Sequence, residues 1–159
     1  MHGQPYTSSM EPPDGKWLIP YLTVRDVTTA VQFYEAALGF KKTLSINAPE
    51  GPPVHAEMRY KDTLIMLGTH PDATTGSKSP NELGGTSVRL YLYTEDVDAR
   101  LALAQSLGGV LLESAQDQYW GDRTGSIRDP EGHVWWIATR QSEVRIYETV
   151  SVSQFKLGS

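Results

Sequence analysis

The chain of 159 residues has no cysteine, only four histidines and no excess of basic residues. Each shortage removes a class of function. Without cysteine there is no disulfide scaffold, no thiol catalysis, no iron–sulfur cluster and no Cys-ligated zinc. With only His2, His55, His70 and His133, any metal site must draw on these and on carboxylates. Fourteen Lys and Arg stand against nineteen Asp and Glu, a formal charge of −5, which argues against a nucleic-acid partner. Apolar runs such as 134–138 fall far short of the ~20 residues that span a bilayer. Residues 1–16 are rich in Pro, Ser and Gly and read as a leader with no signal-peptide core. A soluble, cytoplasmic protein is expected. What remains is an ordinary globular balance, 39% hydrophobic and 21% charged, in a chain long enough to bury roughly two thirds of its unfolded surface.

The chain repeats itself. Leu22-Thr23-Val24-Arg25-Asp26-Val27 returns 70 residues later as Leu92-Tyr93-Thr94-Glu95-Asp96-Val97. Each copy leads into a helical pattern that closes in Leu-Gly, at Gly39 and at Gly108. Residues 56–60 and 64–67 likewise match 125–128 and 134–137. Each half reads as a period-2 strand, a helix and a three-strand meander. Asp26 is a predicted N-cap, and Gly39 suits a left-handed C-cap. The expected organisation is a leader (1–16), a first βαβββ module (17–70), a linker (71–85), a second βαβββ module (86–140) and a C-terminal extension (141–159), with 143–152 as a candidate extra strand. The fold class is α+β: two tandem βαβββ modules forming a curved mixed sheet around a concave cavity.

This duplication, with Pro20-Tyr21-Leu22-Thr23-Val24-Arg25-Asp26, Phe33-Tyr34, Leu38-Gly39-Phe40, Trp120-Gly121-Asp122-Arg123 and Asp129-Pro130-Glu131-Gly132-His133, resembles the vicinal oxygen chelate superfamily. That group includes glyoxalase I, fosfomycin- and bleomycin-resistance proteins and extradiol dioxygenases. The resemblance covers roughly residues 17–139. It implies a homodimer and, in metal-binding members, four converging His, Glu or Gln ligands on the first and last strands of each module. Carried onto this chain, those positions fall on Ile19, Met66, Arg89 and Trp136. The repeat agrees, because its 70-residue offset maps Ile19 onto Arg89 and Met66 onto Trp136. None is a suitable hard-metal ligand, and Arg89 brings a permanent positive charge.

Alternation sends Leu22, Val24, Ile65, Leu67, Leu90, Leu92, Trp135 and Ile137 toward the helices, and Ile19, Tyr21, Thr23, Leu64, Met66, Arg89, Tyr91, Tyr93, Val134, Trp136 and Ala138 to the concave face. His55, Glu57 and Arg59 join the latter. The candidate ligand-binding residues are Tyr21, Glu57, Met66, Arg89, Tyr91, Trp120 and Trp136. Aromatic walls suit a planar or amphipathic organic ligand, and Arg89 suits a carboxylate or phosphate. Packing alone also accounts for an aromatic stripe, and Arg89 is equally served by pairing with Glu57. Trp120 and Arg123 sit ahead of the last hairpin, as a lid or as a brace. His133 reads as a partly exposed turn residue.

The leading expectation is a metal-independent binding protein of the bleomycin-resistance type, with no cofactor and a small organic ligand such as an antibiotic or secondary metabolite. The alternative is a glyoxalase-like lyase or dioxygenase with a divalent metal ion at non-standard positions that include His55 and Glu57. A third possibility is metal-free acid–base chemistry, with Glu57 or His55 as base and Arg89 as anion stabiliser.

Overall fold

The computed structural model describes residues 12, 15–69 and 77–142. The candidate strand at 143–152 falls outside these residues, as do His2, His70 and nearly all of the leader. Two four-stranded mixed sheets are built from the two halves of the chain. The first contains β1 (Tyr21–Thr23), β2 (Lys41–Asn47), β3 (Pro53–Tyr60) and β4 (Thr63–Gly68), in the order β1-β4-β3-β2. The second contains β5 (Arg89–Tyr93), β6 (Val110–Asp117), β7 (Asp122–Arg128) and β8 (Val134–Arg140), in the order β5-β8-β7-β6. In each, the first strand runs parallel to the last and the other pairings are antiparallel. This is the tandem βαβββ architecture expected from the repeat. No helix among the described residues is long and apolar enough to cross a membrane.

The crossover in each module is a helix with the expected cap. Asp26 accepts a hydrogen bond from the Thr29 amide at 3.0 Å and opens α1 (Val27–Phe33), which winds on as a π-helical stretch, Tyr34–Leu38. Gly39 ends it with φ of 81°, a left-handed conformation that costs glycine little. Asp96 repeats the cap on the Ala99 amide and opens α3 (Val97–Ser106). The segment read as a linker holds an additional short helix, α2 (Pro80–Leu83), whose start is tied by the Ser79 amide donating to the Glu82 carboxylate at 2.7 Å. β6 also runs four residues beyond Glu113, where its apolar pattern ends; only Ala115 of that outer half packs toward the core, the rest being exposed.

The helix-facing residues Leu22, Val24, Ile65, Leu67, Leu92, Trp135 and Ile137 are buried in one core cluster with Val31, Phe33, Tyr34 and Leu101. Both modules therefore share a core. Gly125 of β7 lies where α3 presses on the sheet. A Cβ there would meet Leu101 Cδ1 and stand 2.8 Å from the Glu113 carbonyl oxygen. Backbone cannot yield as a side chain can, so Gly125→Ala is expected to cost about 1–3 kcal/mol of unfolding free energy, measurable by urea denaturation.

The turn Asp129-Pro130-Glu131-Gly132 locks the modules together. Asp129 Oδ2 accepts from Tyr34 Oη at 2.6 Å and from Trp135 Nε1 at 2.9 Å. Its Oδ1 accepts the amides of Glu131 and His133. Glu131 Oε2 accepts the Arg25 amide at 2.7 Å. His133 is more than a partly exposed turn residue: its Nε2 lies 2.9 Å from the Thr23 carbonyl oxygen. Burial, then the Asp129 charge, pushes the Tyr34 hydroxyl well above its ordinary pKa, so this phenol stays a donor.

Candidate functional site

Strand register assembles the open faces of the sheets row by row. On the first sheet Tyr21, Met66, Glu57 and Leu44 are successive cross-strand neighbours. Tyr21 reaches along its strand across Gly68, where a Cβ would collide with its phenol oxygen. Its hydroxyl lies 3.2 Å from His55 Nδ1. On the second sheet the corresponding row is Tyr91, Trp136, Ser126 and Glu113. Arg89, Val134 and Arg128 form the row before it, and Tyr93, Ala138 and Thr124 the row after.

Three of the seven sequence-predicted residues, Tyr21, Glu57 and Met66, thus share the first sheet. Arg89, Tyr91 and Trp136 share the second, joined by Trp120 from the turn between β6 and β7. Within one chain the two groups belong to separate ladders. The suggested Arg89–Glu57 pair is accordingly not formed; the Arg89 guanidinium lies instead over the Trp136 ring, 5.0 Å from its centroid. Arg123 is a brace and not a lid. It forks to Asp98 of α3 at 2.7 Å and to Asp117 at 2.9 Å, on the helix side of the sheet.

The second face is organised by a residue that sequence reasoning passed over. Asp122 is 1% exposed, shielded by a ring of its own donors. Oδ2 accepts from Tyr91 Oη and Tyr93 Oη, both at 2.8 Å, and from Trp120 Nε1 at 3.2 Å. Oδ1 accepts from Arg140 at 3.1 Å. Burial opposes the charge on Asp122, but hydrogen bonds from Tyr93, Tyr91 and Arg140 outweigh it and hold the carboxyl below the usual carboxylate range. Strand alternation places Tyr93 on this face, but no sequence signal ties the aromatics to an acid some thirty residues away.

The chemical consequence is a rigid aromatic floor. Tyr91 and Trp136 ring centroids lie 6.1 Å apart, and those of Tyr91 and Tyr93 5.3 Å apart. Both phenols spend their protons on Asp122, so they offer oxygen lone pairs to a ligand. Burial, then hydrogen bonding to the Asp122 carboxylate against the opposing Trp120 bond, pushes the Tyr91 hydroxyl up to about 12. The fold favours protonated Tyr91, so its contribution to stability is complete below its ordinary value of 10.0 and is lost as the pH climbs to about 12. In an ultraviolet tyrosinate titration Tyr91 is expected among the late-titrating phenols, with Tyr34 and Tyr93, and Tyr91→Phe to reduce that late absorbance by one tyrosine. Asp122 itself is enclosed by donors and has no free approach to act as a base.

The four positions that the resemblance assigns to metal ligands do not suit a metal ion. Ile19 and Trp136 offer no donor atom, Met66 only a soft thioether, and Arg89 a positive charge. Among the described residues, no group of three or more His, Asp or Glu stands where it could hold a metal ion. Glu57 and His55 lie on one sheet and Arg89 on the other, so a single chain does not gather the acid–base set. A hollow of about 550 Å³ runs beside β5 and the β3–β4 hairpin, lined by Tyr91 and Tyr93 together with core side chains such as Phe40, Ile65, Leu92 and Trp135. It lies along the seam between the modules.

Known proteins match this arrangement. The family model described as Glyoxalase/Bleomycin resistance protein/Dioxygenase superfamily matches residues 17–137. An uncharacterized protein of Mycobacterium tuberculosis strain H37Rv is 35% identical over 133 residues, covering 82% of this chain and 78% of that one. A Mycobacterium bovis relative has the same identity, with 88% of its length covered. Among solved structures, TioX from Micromonospora sp. ML1 superposes with a TM-score of 0.63 at 26% identity, covering 79% of this chain and 99% of TioX. A glyoxalase/bleomycin resistance protein/dioxygenase family enzyme from Burkholderia phytofirmans PsJN has a TM-score of 0.62 at 20% identity, covering 76% and 94%. The chain therefore belongs to the glyoxalase/bleomycin resistance protein/dioxygenase superfamily.

Proposed function

We propose that this chain is a metal-independent binding protein that holds a small organic ligand, such as an antibiotic or secondary metabolite, against the aromatic face of its second module. The carrying observation is the preorganised floor of Tyr91, Tyr93 and Trp120 on the buried Asp122, with Trp136 beside it. Fixed rings with a few oriented polar atoms are the usual make-up of an organic ligand site. Arg89 supports the metal-independent reading, since a guanidinium stands at a position where metal-binding relatives place a ligand.

The protein acts as a homodimer in the cytoplasm. Tyr21, Leu44 and Ile46 on one face and Tyr91, Tyr93 and Val110 on the other are 42–49% exposed. Two such half-open faces are suited to cover one another between copies. In that arrangement Tyr21, Glu57 and Met66 of one protomer close the trough over Arg89, Tyr91, Trp120 and Trp136 of its partner.

Thermal denaturation with a millimolar panel of planar aromatic natural products tests the reading. A ligand at a hundred times its Kd stabilises by about 2.7 kcal/mol, and an upward shift in Tm is expected. A panel in which no compound moves Tm contradicts it.

A further inference from the structure

We propose that Arg128 joins Arg89 in reading an acidic group, so that the face of the second module takes an organic oxyanion: a carboxylate or phosphate carried on a planar apolar body. This deepens, and rests on, the binding function proposed above.

The arginines of this module divide into two sets. Arg123 forks to Asp98 and Asp117, and Arg140 to Asp122. Arg100 donates to the Ala37 carbonyl oxygen at 3.1 Å and helps join the modules. Those three build the fold. Arg89 and Arg128 do not. Register places them on either side of Val134 in one row, so their Cα atoms are about 10 Å apart at the usual spacing of neighbouring strands. Both are exposed. Among the described residues neither has a carboxylate partner, although acids outnumber bases nineteen to fourteen in the chain. Glu113, on the strand next to Arg128, accepts instead from Ser126 Oγ at 3.0 Å.

Each guanidinium carries five N–H donors in a planar fork that matches an oxyanion. Two long arms flanking the small apolar Val134 can converge on one such group. Trp136 lies in the next row, about 6.6 Å further along the strand, and its ring already carries the Arg89 guanidinium. An acid over Val134 and a ring on Trp136 and Tyr91 is the arrangement of an aryl acetate or aryl phosphate. The acid replaces the solvent on the two guanidinium groups, while the aromatic body covers the apolar shelf.

The test is isothermal titration calorimetry of the full chain with 1-naphthylacetate, 1-naphthyl phosphate and the uncharged 1-naphthylacetamide. At least one of the two acids is expected to bind about tenfold or more tighter than the amide, and the tighter acid identifies the oxyanion. Arg128→Gln is expected to lose about fivefold or more for that acid and leave the amide unchanged, with Arg128→Lys recovering part of the loss. Arg128 is exposed, so an unchanged Tm for the variant checks its fold. An amide that binds as tightly as the acids overturns the inference but leaves the binding function standing. An Arg128→Gln variant that weakens acid and amide alike also overturns it. Failure of all three probes on the wild-type chain counts against the inference and the binding reading together.

Discussion

Asp129→Ala lowers the unfolding free energy by about 3–5 kcal/mol, the cost of breaking a buried charged network. The carboxylate is 3% exposed and receives four hydrogen bonds. Its two side-chain donors come from different modules: Tyr34 follows α1, 95 residues away, and Trp135 is on β8. Alanine strands the phenol, the indole and two turn amides in the shared core, where water cannot reach all of them. It also releases the turn that holds Glu131 against the Arg25 amide and His133 against Thr23. At about 2–4 °C per kcal/mol for a chain of this size, a fall in Tm on the order of 10 °C follows. Asp129→Asn keeps the shape and part of the bonding, so it falls between the two. A loss below about 1 kcal/mol for Asp129→Ala is incompatible with an Asp129 clamp.

Asp122→Ala has the second-largest effect, and divides it differently. Four donors lose their acceptor, but Tyr91 and Tyr93 are nearly half exposed and turn toward water. The stability cost is therefore smaller, about 2–3 kcal/mol, and ligand affinity carries the rest. Without the carboxylate the two phenols and the Trp120 indole lose their fixed orientation, and binding of the ligand weakens by about tenfold or more. The pH dependence has a defined sign. Asp122 is held below the usual carboxylate range, so its contribution is complete above that range and is lost as the pH falls through the lowered value. Wild type and Asp122→Ala therefore converge in stability toward acid pH. Denaturation curves across the acid range, with calorimetry at neutral pH, separate the two effects. A variant as tight-binding as wild type removes Asp122 from the site.

Much of this was legible in the sequence because it is local or periodic. The Asp26 cap and the Gly39 stop are carried by residues within one turn of the helix end. The faces of β4 and β8 follow from alternation, which put Leu67 and Ile137 in the core and Met66 and Trp136 on the other side. The 70-residue repeat then supplied the architecture. The helix at Pro80–Leu83 has a sequence signal in Ser79-Pro80-Asn81-Glu82, an S-x-x-E start with proline at its first position, but four residues of helix are masked by a Gly- and Ser-rich neighbourhood. Long-range polar contacts were less accessible. Asp129 meets Tyr34 across 95 residues, and Asp122 meets Tyr91 across 31; no spacing rule links such partners. Arg89 and Glu57 looked like a pair because both are charged and both point to a concave face. They belong to different sheets, and strand register, not charge, decides which rows are neighbours.

Binding at the Trp136 face without a metal ion is measured directly by one titration. The compound giving the largest thermal shift is titrated into wild type and Trp136→Ala, each stripped with chelator, and then into both with divalent metal restored. Stripped wild type is expected to bind as well as metal-supplemented wild type. Trp136→Ala is expected to lose about 1.5–3 kcal/mol, roughly ten- to a hundredfold in Kd, under both conditions. Binding that appears only when metal is restored, or that survives the loss of Trp136 unchanged, rules out a metal-free site on this face.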